Sequence, residues 1–394
     1  MPKLLLRLPH PGPLPPPKII PSNANSLSGA IAAMTEFVTA PPSSSLPNNV
    51  ADPASTVLLT GAGLSVASGL ADYRGTSGTY TLKKSYRPIF YNEFLSSHEA
   101  RKRYWARSFL GWANLKKARP NPAHFSVKEL GDLRFVRSVI TQNVDSFHLK
   151  AHPELPTIEL HGYLRALVCL SCHSKISREQ LQMKLMQLNP IWAAFLEETL
   201  YEGANSIKDT AKNFTKGFST NPDGDVDVPG APYSRFRYPA CPNCFQNPPL
   251  MTIDGIRAKI YVDKDGALKS GSNVGILKPS VVMFGESIDR DVKEAAEKAI
   301  DNSAWRLAKR AKDRGMPIAI INIGGVRGEE VFFHDLLNDQ NGRAGVRIEF
   351  GTEIILPQLV ADLKRIRFSG TAVTKTLNPN VEKLKNNKLQ DILS

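Results

Sequence analysis

The chain has 394 residues, room for two domains or one large domain with an appended module, and 42% of them are hydrophobic, enough for a sizeable core. Its 50 Lys and Arg against 37 acids give a formal charge of +13. The basic residues are spread without a long like-charge run, which argues against a nucleic-acid tail and for anionic ligands. No run of 18 apolar residues is present, so no membrane-spanning helix is expected.

Residues 1–25 read as a disordered leader. The stretch MPKLLLRLPHPGPLPPPKIIP bears Arg7 and no acid, which suits a mitochondrial transit peptide, with the cytoplasm or nucleus as the other location. Its prolines at 9, 11, 13 and 15–17 oppose an amphipathic helix and suit a proline-rich leader. Helical periodicity covers 26–40 and stops at Pro41 and Pro42, and a loop follows over 43–54. VLLT (57–60) is a short apolar strand running into a glycine turn, and RFVRSVITQNVD (134–145) holds a second strand ending on polar residues. KPSVVMFGE (278–286) and MPIAIINIG (316–324) repeat that pattern. With helical stretches at 289–314 and 353–366 between and after them, these strands predict a parallel α/β sheet. Ligands of such sheets bind beyond the carboxyl ends of the strands. Residues 163–277 lack that alternation and read as an inserted module between a first α/β part (26–162) and a second (278–366). Residues 367–394 read as a loose polar tail.

All four cysteines sit in two CxxC pairs, Cys169-Leu-Ser-Cys172 and Cys241-Pro-Asn-Cys244. Four soft ligands in two such turns satisfy a tetrahedral zinc ion. Disulfides are the rival reading, disfavoured by the two-residue spacers. With no open position among the four, the zinc is structural.

After VLLT comes GAGLSVASGLADYRG (61–75), in which Gly61 and Gly63 let the backbone approach a pyrophosphate. Alone, that spacing fits many phosphate loops. Together with ADYRG (71–75), TQNVD (141–145), ELHG (159–162), the CxxC pairs, KPSVVMFGE and INIG (321–324), it forms an ordered set that resembles the sirtuin family from about residue 55 to 330. RPIFYNEF (87–94) and RYWARSFLGW (103–112) place the likeness nearest the mitochondrial class II branch.

The resemblance implies a Rossmann-like NAD-binding domain with an inserted zinc module, and NAD+ consumed as co-substrate together with one structural Zn2+. It implies an NAD-dependent deacylase of acyl-lysine proteins that releases nicotinamide and O-acyl-ADP-ribose. A mono-ADP-ribosyltransferase using the same cleft is the alternative. His161 matches the general base, with Asn143 and Asp145 as its catalytic companions. Gly61, Ala62, Gly63, Ser65, Asp72, Tyr73, Arg74, Gln142, Asn322, Ile323 and Gly324 complete the cofactor-binding set. Tyr104 and Arg107 match a Tyr-x-x-Arg pair that reads acidic acyl groups. A spacing of three puts both on one helix face, and a guanidinium fork suits a carboxylate. Succinyl, glutaryl or long lipoyl-type groups are then expected over acetyl.

One part of the pattern is absent. Between KPSVVMFGE and IAIINIG the family carries a further apolar strand ending in a GSSL-type turn. Here residues 290–314 read as one helix running straight to the next strand. A central strand buried on both faces is therefore expected to be missing. That gap makes a catalytically impaired scaffold a third reading. The segment 252–275 is an unusual insertion after the second CxxC.

Overall fold

The computed structural model describes residues 14–40, 56–83, 86–205, 220–228, 230–250, 257–300, 317–326, 328–333 and 345–375. Its helices are α1 (Leu27–Thr39), α2 (Thr79–Leu82), α3 (Tyr91–Ser96), α4 (His98–Lys117), α5 (Pro122–Asp132), α6 (Phe147–Ala151), α7 (Arg178–Leu188), α8 (Pro190–Asn205), α9 (Pro242–Gln246), α10 (Arg290–Ile300), α11 (Glu329–Phe333) and α12 (Thr352–Lys375). The strands are β1 (Val57–Thr60), β2 (Ser138–Thr141), β3 (Thr157–Glu159), β4 (Gly162–Cys169), β5 (Lys175–Ser177), β6 (Leu277–Val281), β7 (Ile318–Ile321) and β8 (Gly345–Ile348). Among the described residues, no helix is long and apolar enough to cross a membrane.

Local signals set the helix starts. Ser26 caps α1, its hydroxyl accepting from Gly29 N–H at 3.1 Å; such caps contribute about 1 kcal/mol. Asn121 caps α5 with Pro122 in the first turn. There Ala123 N–H donates to Asn121 Oδ1 at 2.9 Å, and Asn121 N–H donates to His124 Nδ1 at 3.3 Å.

The strands form three sheets. β1, β2 and β3 run parallel in that order, β7 and β8 form a separate parallel pair, and β5, β4 and β6 form an antiparallel sheet. One helical layer of α1, α5 and α12 covers both parallel sheets, since Val127, Leu130, Val139, Val346, Ile348, Leu359 and Leu363 share one core. Val292, Ala296 and Ala299 of α10 pack with Ile140, Ile158 and Leu160 in another. Full burial of Val139 and Ile140 is worth roughly 2 kcal/mol each before chain entropy is subtracted. The antiparallel sheet has its own core, with Trp105, Phe109 and Leu110 of α4 against Leu167, Leu185, Trp192 and Phe236.

Residues 301–316, where the gap in the pattern falls, lie outside the described residues. Among the described residues no strand joins β1 to β7, so the parallel sheet is split. Leu59, in the middle of β1, is 41% exposed, and all four residues of β7 are only half-buried.

Other expectations need correction. Part of the leader is docked: Ser22–Asn25 form a 3-10 turn, Ala24 is buried, and Ile20 pairs with Arg347 through backbone bonds of 3.1 and 2.7 Å. The cause is the second edge of β8, which offers free peptide groups to the apolar Ile20. KPSVVMFGE does not join the parallel sheet; β6 runs antiparallel to β4. It returns from the second CxxC to the first, and Leu277 lies opposite Cys169, so the four sulfurs fix its pairing. The last helix continues beyond 366 to Lys375, no proline falling between Pro357 and Lys375 to stop it. Residues 1–13, 43–54, 301–314 and 376–394 of the expected leader, loop, helix and tail lie outside the described residues.

Candidate active site and zinc centre

The carboxyl ends of β1, β2 and β3 lie side by side. Gln142 N–H donates to Thr60 O at 2.9 Å, and Leu160 N–H donates to Thr141 O at 2.8 Å. The residues after these strands are therefore brought together, and a hydrogen-bond network fixes them. Asn143 Nδ2 donates to Gly61 O and to Ser65 Oγ, both at 3.1 Å. Ser65 donates its own hydrogen to Asp145 Oδ2 at 2.7 Å, and Phe147 N–H donates to Asp145 Oδ1 at 2.8 Å. Burial raises the Asp145 carboxyl, and the two donors pull it back. The glycine turn thus leads into a 3-10 helix, Ala62–Ser68, whose Ser65 is tied to the end of β2.

His161 follows β3. Its Nδ1 lies 3.1 Å from Gln142 O. A carbonyl only accepts, so Nδ1 carries the hydrogen and Nε2 keeps its lone pair. Burial lowers the imidazole, opposed by that bond, so the ring is neutral at physiological pH. Gly162 next to it has φ +73°, and an added Cβ would lie 2.1 Å from Ser280 O; only glycine lets β6 approach there.

Asp72 Oδ1 accepts from Gly75 N–H at 3.0 Å, closing the ADYRG turn. Tyr73 stacks on Tyr80 with centroids 5.6 Å apart and meets Phe284 edge-on at 6.4 Å. Arg74 is exposed, its guanidinium 5.9 Å from the Tyr80 ring. Across the gap in the sheet, Asn322 Nδ2 donates to Ile323 O and Gly324 O at 2.9 and 3.1 Å. A Cβ built on Gly63 would sit 3.5 Å from Asn322 Oδ1, so the end of β7 faces the glycine turn. Ile323 is largely exposed, and nothing lies within 4 Å of a Cβ built on Gly61, so backbone there is open to a ligand.

No direct contact joins Tyr104 and Arg107, although both side chains feel the charges of Asp223 and Asp225. The Tyr104 ring packs edge-on against Phe94 and Trp105. The Arg107 guanidinium lies 4.8 Å from the Tyr86 ring, only 3% exposed, and forms an ion pair with Asp225. As folded, that guanidinium is already occupied by a carboxylate.

The four cysteine sulfurs lie within 4.8 Å of one another. Cys169 and Cys244 are 3.5 Å apart and Cys172 and Cys241 3.8 Å, far beyond a disulfide bond of about 2.05 Å. Zinc–sulfur bonds of about 2.3 Å in a tetrahedron set sulfurs about 3.8 Å apart, so the cluster fits that ion. Ser171 N–H and Asn243 Nδ2 donate to Cys169 and Cys172 at 3.4 Å each, which favours thiolates.

Two groups escaped sequence reasoning. Thr60 Oγ1 is 2.9 Å from His148 Nε2, and His148 Nδ1 is 2.8 Å from His152 Nε2, with the His124 ring against His148. Nothing in a lone histidine's neighbours in sequence announces such a cluster. The second is the acidic run NPDGDVDV (221–228), legible as a turn but not as the partner of Arg107.

The family model described as the Sir2 family matches residues 61–305. NAD-dependent protein deacylase SIR4 of Batrachochytrium dendrobatidis is 36% identical, covering 78% of this chain and 90% of that one. NAD-dependent protein deacylase SRT2 of Arabidopsis thaliana is 32% identical over 70% of this chain and 67% of that one. NAD-dependent protein lipoamidase sirtuin-4, mitochondrial, of Bos taurus is 30% identical over 70% and 76%. Since the family match runs through most of its length, from the glycine turn to residue 305, this chain belongs to the Sir2 family, the sirtuins.

Proposed function

We propose that the chain is an NAD-dependent protein-lysine deacylase. The observation that carries this reading is the His161 imidazole, with Nδ1 anchored on Gln142 and Nε2 free to accept a proton. A neutral imidazole suits removal of a proton from a ribose hydroxyl. NAD+ bound beside it would supply an anomeric carbon open to the acyl oxygen, with nicotinamide as the leaving group. Asn143, Ser65 and Asp145 hold the turn and the β2 end rigid on the nicotinamide side, so little reorganisation is needed. Asp72, Tyr73 and Arg74 would cover the cofactor, where the Arg74 guanidinium suits a phosphate as a planar fork. Asn322, Ile323 and Gly324 take the adenosine side. Cys169, Cys172, Cys241 and Cys244 hold zinc as a structural ion. The names of the fungal, plant and cattle relatives support the deacylase reading.

Incubation with labelled NAD+ and an acyl-lysine peptide tests it. Label in acyl-ADP-ribose, with nicotinamide released, is expected; label retained on protein identifies the ADP-ribosyltransferase instead.

The acid-free leader and the printed location of the cattle relative support a mitochondrial site of action. Since Ile20 is buried against Arg347, a cleaved leader ends before it. Residues 1–50 fused to a fluorescent reporter are expected in mitochondria; a diffuse signal leaves the proline-rich-leader reading.

A further inference from the structure

The segment Leu14–Asn25 precedes every residue given a role above, yet it runs along the turn that follows β7. Ile20, 3% exposed, exchanges two backbone bonds with Arg347 of β8: its N–H donates to Arg347 O at 3.1 Å, and Arg347 N–H donates to Ile20 O at 2.7 Å. Before Ile20 the chain crosses Gly325. A Cβ added there would come within 2.3 Å of Pro15 O and 3.0 Å of Leu14 Cβ, so a glycine is what lets the segment lie so close. After Ile20, Ala24 is buried in the core that α1 shares with Val346 and Ile348 of β8. The segment is thus fastened at the Gly325 turn, along β8 and in the α1 core.

Arg347 joins these fastenings to the Asn322–Gly324 turn. Its side chain is fully buried, and Nε donates to Glu329 Oε2 at 2.8 Å. Nη1 donates to Asn322 O at 3.0 Å and Ile348 O at 2.6 Å, and Nη2 donates to Gly324 O at 2.5 Å. Burying a guanidinium costs desolvation that an apolar side chain would avoid. What the charge contributes here is geometry, because its planar fork fixes two carbonyls of one turn. That turn has little else to hold it. β7 is half-buried throughout, whereas β8 is buried throughout. The Ile20 bonds close the edge of β8 that β7 does not use; an open edge there admits water and frays the strand. The segment does not cover the face a ligand would meet. Ile323 is 63% exposed, and among the described residues nothing lies within 4 Å of a Cβ built on Gly324. The contact is therefore a brace and not a lid.

We propose that Arg347 is a positioning residue for NAD+ and that Leu14–Asn25 is the strap that holds it. This rests on the reading that Asn322, Ile323 and Gly324 take the adenosine side. The strap fixes the Arg347 backbone, the guanidinium fixes the turn, and the turn meets the cofactor already ordered. The brace acts on NAD+ affinity and leaves the reacting end, at His161 and Asn143, unaltered.

Ile20→Pro in the full chain tests the proposal, because it removes the N–H that bonds Arg347 O. Isothermal titration is expected to show NAD+ bound about threefold to tenfold more weakly, the worth of one hydrogen bond. KM for NAD+ is expected to rise alike, with kcat and KM for an acyl-lysine peptide unchanged. Arg347→Lys keeps a charge beside Glu329 but loses the fork, and is expected to weaken NAD+ about tenfold or more. That variant decides the matter if Ile20→Pro does not fold. Unchanged NAD+ affinity in folded, zinc-loaded variants overturns the proposal. So does tighter binding in Ile20→Pro, which identifies a lid, or an equal loss of peptide affinity, which identifies a merely structural contact. Amide hydrogen exchange over residues 318–324 tells two failures apart. Unaltered exchange in Ile20→Pro means that the strap holds nothing; faster exchange with unaltered affinity means that the turn does not meet NAD+. Absence of NAD+ binding by the unaltered chain overturns the adenosine reading and the proposal together.

Discussion

β2 has a neighbour on each side, and its Val139 and Ile140 are fully buried; among the described residues β7 pairs with β8 alone, and each of its residues is half-buried. The two strands serve the same parallel architecture, but only the first stands as parallel strands with apolar runs on both faces usually stand. The loops they end in differ in the same way. After β2, Asn143 and Asp145 bond to Ser65 and Gly61 on another strand's loop. After β7, among the described residues, the Asn322 amide bonds to the next two carbonyls, and the fixed point is Arg347, which donates to Asn322 O at 3.0 Å and Gly324 O at 2.5 Å. The residues after β2, to which the proposed function gives the chemistry, are cross-braced between strands, whereas those after β7, proposed for the adenosine side, are braced within one strand pair. The shared α1–α5–α12 layer keeps the two halves in one core although their sheet is split. On the proposed function, catalysis falls to the complete half and binding alone to the reduced one.

The largest expected effect falls on the element joined to the complete half. β4 begins beside His161 and ends at Cys169. Cys241→Ser is expected to release zinc, unfold the antiparallel sheet and abolish activity, since structural zinc binding is worth on the order of 10 kcal/mol. Metal analysis with a thermal melt checks it, and zinc-free wild-type protein of full stability breaks the assignment.

Next comes the base. His161→Ala is expected to lower deacylation by about 10²–10⁴-fold with no change in melting temperature. Retained activity locates the base elsewhere.

A third test uses the histidine cluster under β1. Burial pulls His124 down to about 4 and His148 to about 3, and it lowers His152 as well. Unfolded, these rings take up protons near pH 6.5. The unfolded state thus binds more protons below that pH, and stability present above about pH 6.5 is lost as pH falls toward 4. The loss is expected on the order of 3 kcal/mol, readable by denaturant titration at several pH values. His148→Gln is expected to flatten the dependence. A profile unaltered by that change contradicts neutral burial of the ring.

The smallest effect sharpens the comparison most. Asn143→Ala breaks a buried bridge between strands and is expected to weaken NAD+ binding or turnover about tenfold or more. Asn322→Ala removes only local bonds and is expected to cost about twofold to threefold. Equal losses show that the halves are not differently braced.

The site was legible in sequence where its chemistry is local. VLLT-Gly-Ala-Gly, TQNVD and ELHG are strand ends whose polar residues follow directly, and the two CxxC pairs determine their own geometry. What lay hidden depends on partners far apart in the chain. Nothing near Arg107 indicates that Asp225 will occupy it. Nothing in KPSVVMFGE separates an antiparallel from a parallel apolar run, because pairing is decided by the sulfurs at Cys169 and Cys172. Ile20 looked like leader because its partner, the edge of β8, comes more than 300 residues later.

The central claim is that the complete half, with only β7 and β8 beyond it, still binds and uses NAD+. Equilibrium titration of NAD+ into folded, zinc-loaded protein tests it directly. The account predicts saturable binding of one NAD+ per chain, lost or weakened in Asn143→Ala. Absence of binding at millimolar NAD+ in such protein contradicts it and leaves a sirtuin scaffold without catalysis.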